Sequence, residues 1–119
     1  MQKYNLEEIK RIQMNRKRGH SDLSKKSEVY RAFLDVERKA FSDGSLKKMY
    51  KELIAIAISI VTNCESCMEW HIGEALKSGA TEEQVVEAIG VGMEMGIGPT
   101  TVSARFAMRV LEYCHDGAK

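Results

Sequence analysis

Two thiols and an imidazole lie close together in one short stretch of the chain, CESCMEWH, which runs from Cys64 to His71. On a helix with about 3.6 residues per turn, positions i, i+3 and i+7 share one face, so Cys64, Cys67 and His71 would form a single stripe. The free N–H groups and the dipole at a helix N-terminus favour a thiolate there. His71, one turn beyond Cys67, could take its proton directly or through a water molecule. These residue types at this spacing indicate thiol redox chemistry.

A carboxylate, Glu52, is predicted to join this stripe from the preceding helix. A turn near residues 61–63 should fold the two helices into an antiparallel pair. At about 1.5 Å of rise per residue, Glu52 lies roughly 14 Å before that turn and His71 roughly 10 Å after it, so the two side chains can meet. Glu52 shares a helix face with apolar residues, and a buried carboxylate needs a partner such as a histidine. We therefore predict a proton relay from Glu52 through His71 to Cys67, with Cys64 as the second sulfur.

A zinc site is the main alternative for the same residues. Cys64, Cys67 and His71 could supply three ligands, and Cys114 or His115 could complete the set. Structural zinc pairs usually lie on a turn, whereas both sulfurs here fall at the start of a helix, which favours the redox interpretation and predicts no metal. The two cysteines could also be small buried hydrophobic residues, but their spacing with a histidine makes this the weaker interpretation.

Two further residues have simpler interpretations. Glu52 could instead pair with Lys48, four residues earlier, as a surface ion pair worth only about 0.2–0.5 kcal/mol. The inward-facing position of Glu52 argues against that alternative. Nothing around Cys114 suggests a partner for it, so it is predicted to be structural and inert.

The elements that must position these residues are helices. The chain has 119 residues, a single proline and many Ala, Glu, Lys, Leu and Met residues, a composition that favours an all-α domain. We expect an N-terminal arm or helix over residues 1–22 and the main domain over 23–119. Apolar periodicity and stop signals at Gly19 and Gly44 predict helices over about 5–18, 24–41, 45–61 and 63–78, one starting at residue 81, and one from Pro99 to 113.

Capping signals and glycines set the expected boundaries of the later helices. Thr62 or Asn63 is predicted to cap the helix that carries the cysteines, and Thr81 with Gln84 has the form of a capping box. The glycines at 90, 92, 96 and 98 are expected to interrupt the following helix before Pro99 starts the last one. These glycines do not form a phosphate loop, because no strand precedes them and no Gly-Lys-Ser/Thr ending follows.

Charge and hydropathy exclude several functional classes. The formal net charge of +1 argues against a strongly basic nucleic-acid-binding protein. The longest apolar run, residues 53–61, is too short to cross a bilayer, so no membrane association is expected. The N-terminus has no apolar signal region, and we expect a cytoplasmic protein whose cysteines are not structural disulfides. No flavin, haem or nicotinamide site is indicated, so no cofactor is predicted.

The spacing of Glu52, eleven residues, Cys64-x-x-Cys67, three residues and His71 resembles the signature of the AhpD-like branch of the carboxymuconolactone decarboxylase family. The resemblance extends from about residue 33 to residue 113 and includes the segments DGSLKKMYKELIAIAI, EALKSGATEEQVVEAI and MGIGPTT. It implies an all-α helical bundle in which an antiparallel helix pair carries the C-x-x-C motif. It also implies a homo-oligomer, either a trimer or a hexamer.

The resemblance further implies that Cys67 attacks a hydroperoxide or a partner disulfide, that Cys64 resolves the product, and that Glu52 and His71 act as the base. Electrons would come from an external dithiol or redoxin, and a peroxiredoxin is a possible partner. Peroxidase members of the family carry a histidine where this chain has Ser66, so a redox-active disulfide is predicted more firmly than peroxidase activity. Decarboxylase members lack the cysteine pair, which disfavours a lactone enzyme; a metal-binding module is the other alternative.

Overall fold

The computed structural model describes residues 3–117, and these fold into five α-helices with no strand among them. This confirms the all-α prediction. The helices span α1 Lys3–Lys26, α2 Glu28–Phe41, α3 Lys48–Val61, α4 Glu65–Lys77 and α5 Glu82–His115.

The core lies where α3 packs against α4 and against the first part of α5. Its centre is Ile56 of α3, which is fully buried together with Ala75 of α4 and next to Val85 of α5. Gly92 lets α5 approach α3 closely, because a Cβ at that position would lie 2.7 Å from the carbonyl oxygen of Ala57. The densest apolar stretch of the sequence therefore becomes the central helix of the bundle.

A short connection folds α4 back along α3 and confirms the predicted antiparallel pair. Asn63 adopts a left-handed conformation with φ of 52°, which reverses the chain direction. Cys64, rather than the expected Thr62 or Asn63, is the N-cap of α4. The predicted caps are wrong because Thr62 ends α3 instead, where its hydroxyl donates to the carbonyl oxygen of Ile58 at 3.0 Å.

Helix α1 continues through Gly19 to Lys26, so the predicted end of the first helix at Gly19 is wrong. Gly19 has no positive φ, and a glycine inside a helix costs only about 1 kcal/mol, which tertiary contacts can offset. Such contacts are present, because α1 packs on α4 and α2. The Arg16 guanidinium lies 2.9 Å from the carboxylate of Glu69 and 4.6 Å from the centre of the Trp70 ring.

The ion pair under α1 depends on pH through Glu69. Burial raises the pKa of Glu69, but hydrogen bonds from Arg16 and Gln13 outweigh burial and leave the pKa below its usual range. A depressed carboxyl pKa stabilises the folded state above the ordinary glutamate range, and this stability is lost as the pH falls through the folded-state pKa. The docking of α1 on α4 is therefore strongest at neutral pH and weakens in acid.

Helix α5 is a single element of 34 residues, so the predicted interruption at the glycines and the predicted new helix at Pro99 are both wrong. The capping box of Thr81 and Gln84 is confirmed at its start. Pro99 lacks an N–H and crowds the preceding turn, but no packed neighbour surrounds it, so the helix can adjust locally. The side chain of Thr101 donates to the carbonyl oxygen of Gly98 at 2.7 Å next to this point.

The C-terminal half of α5 projects away from the bundle. Nearly every residue from 93 to 116 is exposed, including Ile97 at 65% and Phe106 at 70%. The radius of gyration is 19.6 Å, whereas a compact domain of this length has one of about 13–14 Å. The single chain thus leaves the apolar side chains of the C-terminal half of α5 exposed.

None of the helices in the described part of the chain has the length and the apolar character that crossing a membrane would require.

Candidate functional site

The two cysteines of the motif form a disulfide at the N-terminal end of α4. Cys64 occupies the N-cap position and Cys67 the first turn, with their Cα atoms 5.2 Å apart. The backbone N–H of Cys67 donates to the Cys64 sulfur at 3.2 Å, so the sulfur also serves as the helix cap. Both residues are half-buried. A thiolate formed at either position would lie at the positive end of the α4 dipole, which stabilises it.

Glu52 and His71 meet across the α3–α4 pair. Oε1 of Glu52 lies 2.7 Å from Nδ1 of His71, and the Glu52 side chain is only 2% exposed. An ionised carboxylate can only accept, so Nδ1 of His71 is the donor, and the neutral ring then keeps Nε2 free to accept a proton. Phe41 of α2 stacks on the imidazole with 5.1 Å between the ring centres and holds its plane.

Lys48 completes the surroundings of Glu52. Its ammonium group lies 2.8 Å from Oε2 of Glu52 and 3.2 Å from the carboxylate of Glu74. Desolvation lowers the pKa of Lys48, but the hydrogen bonds to Glu52 and Glu74 outweigh it and raise the pKa above its ordinary value. Lys48 and Glu52 therefore do pair, but not as the surface pair of the alternative interpretation, because Glu52 is buried, as its inward-facing position predicted.

Each sulfur opens onto its own cavity. A cavity of about 480 Å³ is lined by Cys67, Trp70 and His71 and, on its other sides, by residues of α1 and α2. A second cavity, of about 570 Å³, reaches Cys64 and is bounded by polar and charged side chains of α1. Arg16 and Ser66 line both cavities. The arrangement leaves two routes of approach, one to each sulfur.

Sequence reasoning did not single out Phe41 or Glu74, or α1 as the wall of both cavities. Periodicity shows which residues of one helix share a face, but it does not show which other helix covers that face. A signal for Glu74 existed, because it follows His71 by three residues and so faces the same side of α4.

The other residues considered in the sequence are away from this arrangement. Cys114 is an exposed free thiol near the end of α5. Among residues 3–117, no group of three or more His, Cys, Asp or Glu side chains is placed to hold a metal ion.

Comparison with known proteins identifies the family. Residues 27–110 match the model of the carboxymuconolactone decarboxylase family. The chain is 45% identical over 87 residues to the protein called "Uncharacterized protein 4 in cox locus" from Paracoccus denitrificans, covering 73% of this chain and 78% of that one. It is 30% identical over 63 residues to the alkyl hydroperoxide reductase AhpD of Hyphomonas neptunium, covering 53% of this chain and 35% of the reductase.

The fold leads to the same family. The structure superposes on the apo crystal structure of a carboxymuconolactone decarboxylase family protein from Legionella pneumophila with a TM-score of 0.71 and 29% sequence identity. The match covers 88% of this chain and 95% of the Legionella protein. The matched family region contains the cysteine pair and both members of the Glu52–His71 pair. The resemblance inferred from the motif is confirmed, and the chain belongs to the carboxymuconolactone decarboxylase family.

Proposed function

We propose that the protein is a thiol-dependent oxidoreductase that cycles Cys64 and Cys67 between dithiol and disulfide, and that it reduces hydroperoxides or exchanges with partner disulfides. The observation that carries the proposal is the Glu52–His71 pair, with its 2.7 Å contact, because the imidazole of His71 lines the same cavity as Cys67 of the disulfide at the helix N-terminus. The similarity of part of the chain to an alkyl hydroperoxide reductase supports the same chemistry.

In the reduced protein, Glu52 accepts the Nδ1–H of His71, and Nε2 of His71 takes the proton of the Cys67 thiol. The thiolate attacks the terminal oxygen of a hydroperoxide and breaks the O–O bond. The leaving alkoxide receives the proton from His71, which gives an alcohol and a sulfenic acid on Cys67. The Cys64 thiol then attacks that sulfur, forms the disulfide and releases water.

Two electrons must then be returned from outside. A thiolate of an external dithiol or redoxin attacks one sulfur of the pair, and the other sulfur leaves as a thiolate. The second thiol of the donor resolves the mixed disulfide, so that the donor is oxidised and both cysteines are reduced. When the oxidant is a partner disulfide rather than a peroxide, the same exchange runs in the opposite direction and no sulfenic acid forms.

The experiment that tests the function is a redox titration combined with a substrate screen. The reduced protein should lose two hydrogens in its intact mass when treated with mild peroxide or an oxidised dithiol, and peptide mapping should place the new bond between Cys64 and Cys67. A Cys114→Ser variant should behave in the same way, since Cys114 lies outside the pair. Dithiol-dependent turnover is then measured with hydrogen peroxide, an organic hydroperoxide and a model disulfide. Absence of the disulfide under every oxidant would overturn the proposal, and activity on a lactone after loss of both cysteines would favour decarboxylation.

We also propose that the protein works as a homo-oligomer, a trimer or a hexamer. The single chain exposes 9203 Å², whereas a compact protein of this mass exposes roughly 6,500 Å². The excess is of the size buried in obligate interfaces. Much of it lies on the apolar side chains of α5 between Met93 and Tyr113, which supports association through that helix.

A charge placed on α5 should separate the subunits. We expect Phe106→Glu to lower the mass of the particle to that of a smaller assembly, because Phe106 is 70% exposed in the single chain and a carboxylate is costly to bury at an interface. Light scattering coupled to size exclusion measures the mass. The control, Ser45→Glu, adds the same charge at an exposed loop position. A monomeric wild-type protein at micromolar concentration would contradict the proposed assembly.

A further inference from the structure

We propose that Lys48 is a positioning residue of the redox site: its ammonium group fixes Glu52 and keeps His71 in the neutral form that can accept the Cys67 proton. The role of His71 as the base rests on the function proposed above. The effect of Lys48 on the protonation of His71 does not, and it can be measured separately.

The contacts of Glu52 divide its two oxygens between two partners. Oε1 meets Nδ1 of His71 at 2.7 Å, and Oε2 meets Nζ of Lys48 at 2.8 Å. Because the Glu52 side chain is 2% exposed, solvent offers little alternative hydrogen bonding to Oε2 if Lys48 is removed. The lysine thus sets the direction in which the carboxylate points and the distance from Oε1 to the imidazole.

The ammonium group of Lys48 is itself held in place. Besides Glu52 it contacts the carboxylate of Glu74 at 3.2 Å and the hydroxyl of Ser78 at 3.5 Å. A lysine ammonium has three donors, and these three acceptors match them. The Lys48 side chain is 35% exposed, so its stem reaches inward from the surface and its charge lies at the edge of the core. The hydrogen bonds that hold it raise its pKa, which keeps it charged across the working pH range.

The positive charge of Lys48 affects the protonation of His71 because it balances nearby negative charge. Lys48 offsets one of the two nearby carboxylates, Glu52 and Glu74. Without Lys48 the buried carboxylate of Glu52 faces the imidazole with no lysine on its other oxygen, and nearby negative charge favours the imidazolium form. An imidazolium cannot accept a proton from Cys67, so less of the base would be available at neutral pH.

Other titratable groups line the cavity that contains the imidazole or the cavity that contains Glu52, and they remain unchanged when only Lys48 is altered. They come from three helices. These groups are Arg16, Lys17 and His20 on α1, Tyr30, Glu37 and Arg38 on α2, and Cys67 and Glu74 on α4.

The test compares Lys48→Met with Lys77→Met. Lys77 is a matched control, because its ammonium also approaches Glu74, at 3.5 Å, but its side chain is 77% exposed and does not pair with Glu52. The first measurement is the NMR titration of the His71 imidazole in the disulfide form, assigned by its loss in a His71→Gln variant. We expect Lys48→Met to move the midpoint of this titration upward by about one pH unit, and Lys77→Met to leave it in place.

The second measurement is the pH dependence of Cys67 reactivity in the reduced protein. In Lys48→Met the acidic limb of the pH–rate profile should move to higher pH by about one unit, the same amount as the His71 midpoint. The rate should be roughly tenfold lower than that of the wild type on the acidic side of this limb and should return to the wild-type value at high pH. Lys48→Arg should restore most of the wild-type profile because it retains the charge. Lys48→Gln retains hydrogen-bond donors but carries no charge, and it replaces Lys48→Met in both measurements if the methionine variant does not fold.

The outcomes separate the two proposals. An unchanged His71 midpoint in a folded, uncharged Lys48 variant would overturn the role of Lys48. A shifted midpoint in a protein whose wild-type form turns over neither peroxide nor disulfide would overturn the proposed function and leave the electrostatic role of Lys48 standing.

Discussion

Replacing Cys67 with serine should abolish dithiol-dependent turnover, with a loss of about 10³-fold or more. A serine hydroxyl is far less acidic than a thiol, so the imidazole of His71 does not deprotonate it in the resting protein. Serine also forms neither a sulfenic acid nor a disulfide, so both steps of the cycle stop. Replacing Cys64 with serine should have a different result. Cys67 keeps its place beside His71 in the same cavity, so the first attack proceeds and the cycle halts at the sulfenic acid.

The measurement is a pair of assays on the same proteins. Steady-state consumption of peroxide or model disulfide reports turnover, and a nucleophilic sulfenic-acid trap followed by mass spectrometry reports the halted intermediate. Cys114→Ser is the matched control, since it removes the exposed thiol of α5 and should leave both assays unchanged. Turnover that survives in Cys67→Ser would refute the assignment of the nucleophile. If Cys64→Ser yields no trapped product with peroxide, exchange with partner disulfides becomes the better description of the activity.

Glu52→Gln should lower the rate near neutral pH by about 10²-fold or more, within the range typical of general-base catalysis. The amide oxygen can still accept the Nδ1–H of His71, so the ring keeps its orientation. The amide carries no charge, however, and it no longer stabilises the imidazolium that forms when Cys67 gives up its proton. The difference in rate between Glu52→Gln and the wild type should become smaller at high pH, where the Cys67 thiol ionises without help from a base.

The pH–rate profile of the reduced protein tests this prediction, and circular dichroism checks that the variant is folded. Glu87→Gln on α5 provides the matched control, because it makes the same chemical change at an exposed position outside the two cavities at the cysteines. A Glu52→Gln profile that coincides with the wild-type profile would remove Glu52 from the relay.

The contact between Glu52 and His71 could be anticipated because it depends on local rules. Helical rise places both residues about two to three turns from the same short connection, and an inward-facing carboxylate needs a partner. The cysteine pair at the start of α4 follows from spacing in the same way. Sequence patterns therefore determine most of the candidate site that lies on the antiparallel pair.

The remaining features depend on contacts between distant segments. The stacking of Phe41 on His71 requires α2 to cross α4, and the ion pair of Arg16 with Glu69 requires α1 to lie over it. Neither arrangement has a signature in local periodicity. Local stop signals gave wrong helix boundaries at Gly19 and Pro99, because the rest of a long helix can outweigh a cost of about 1 kcal/mol for an internal glycine and about 3 kcal/mol for an internal proline.

The unpartnered half of α5 makes protein concentration a variable of folding. Residues 93–115 bury almost nothing within their own chain, and in proteins most of the stability of a helix comes from tertiary packing. If neighbouring copies supply its packing, folding of this segment and association are one equilibrium governed by mass action. Diluting the protein then favours unfolding of this segment, and the midpoint temperature of thermal unfolding rises with protein concentration. The amount of protein that a cell makes would set how much of this helix is ordered.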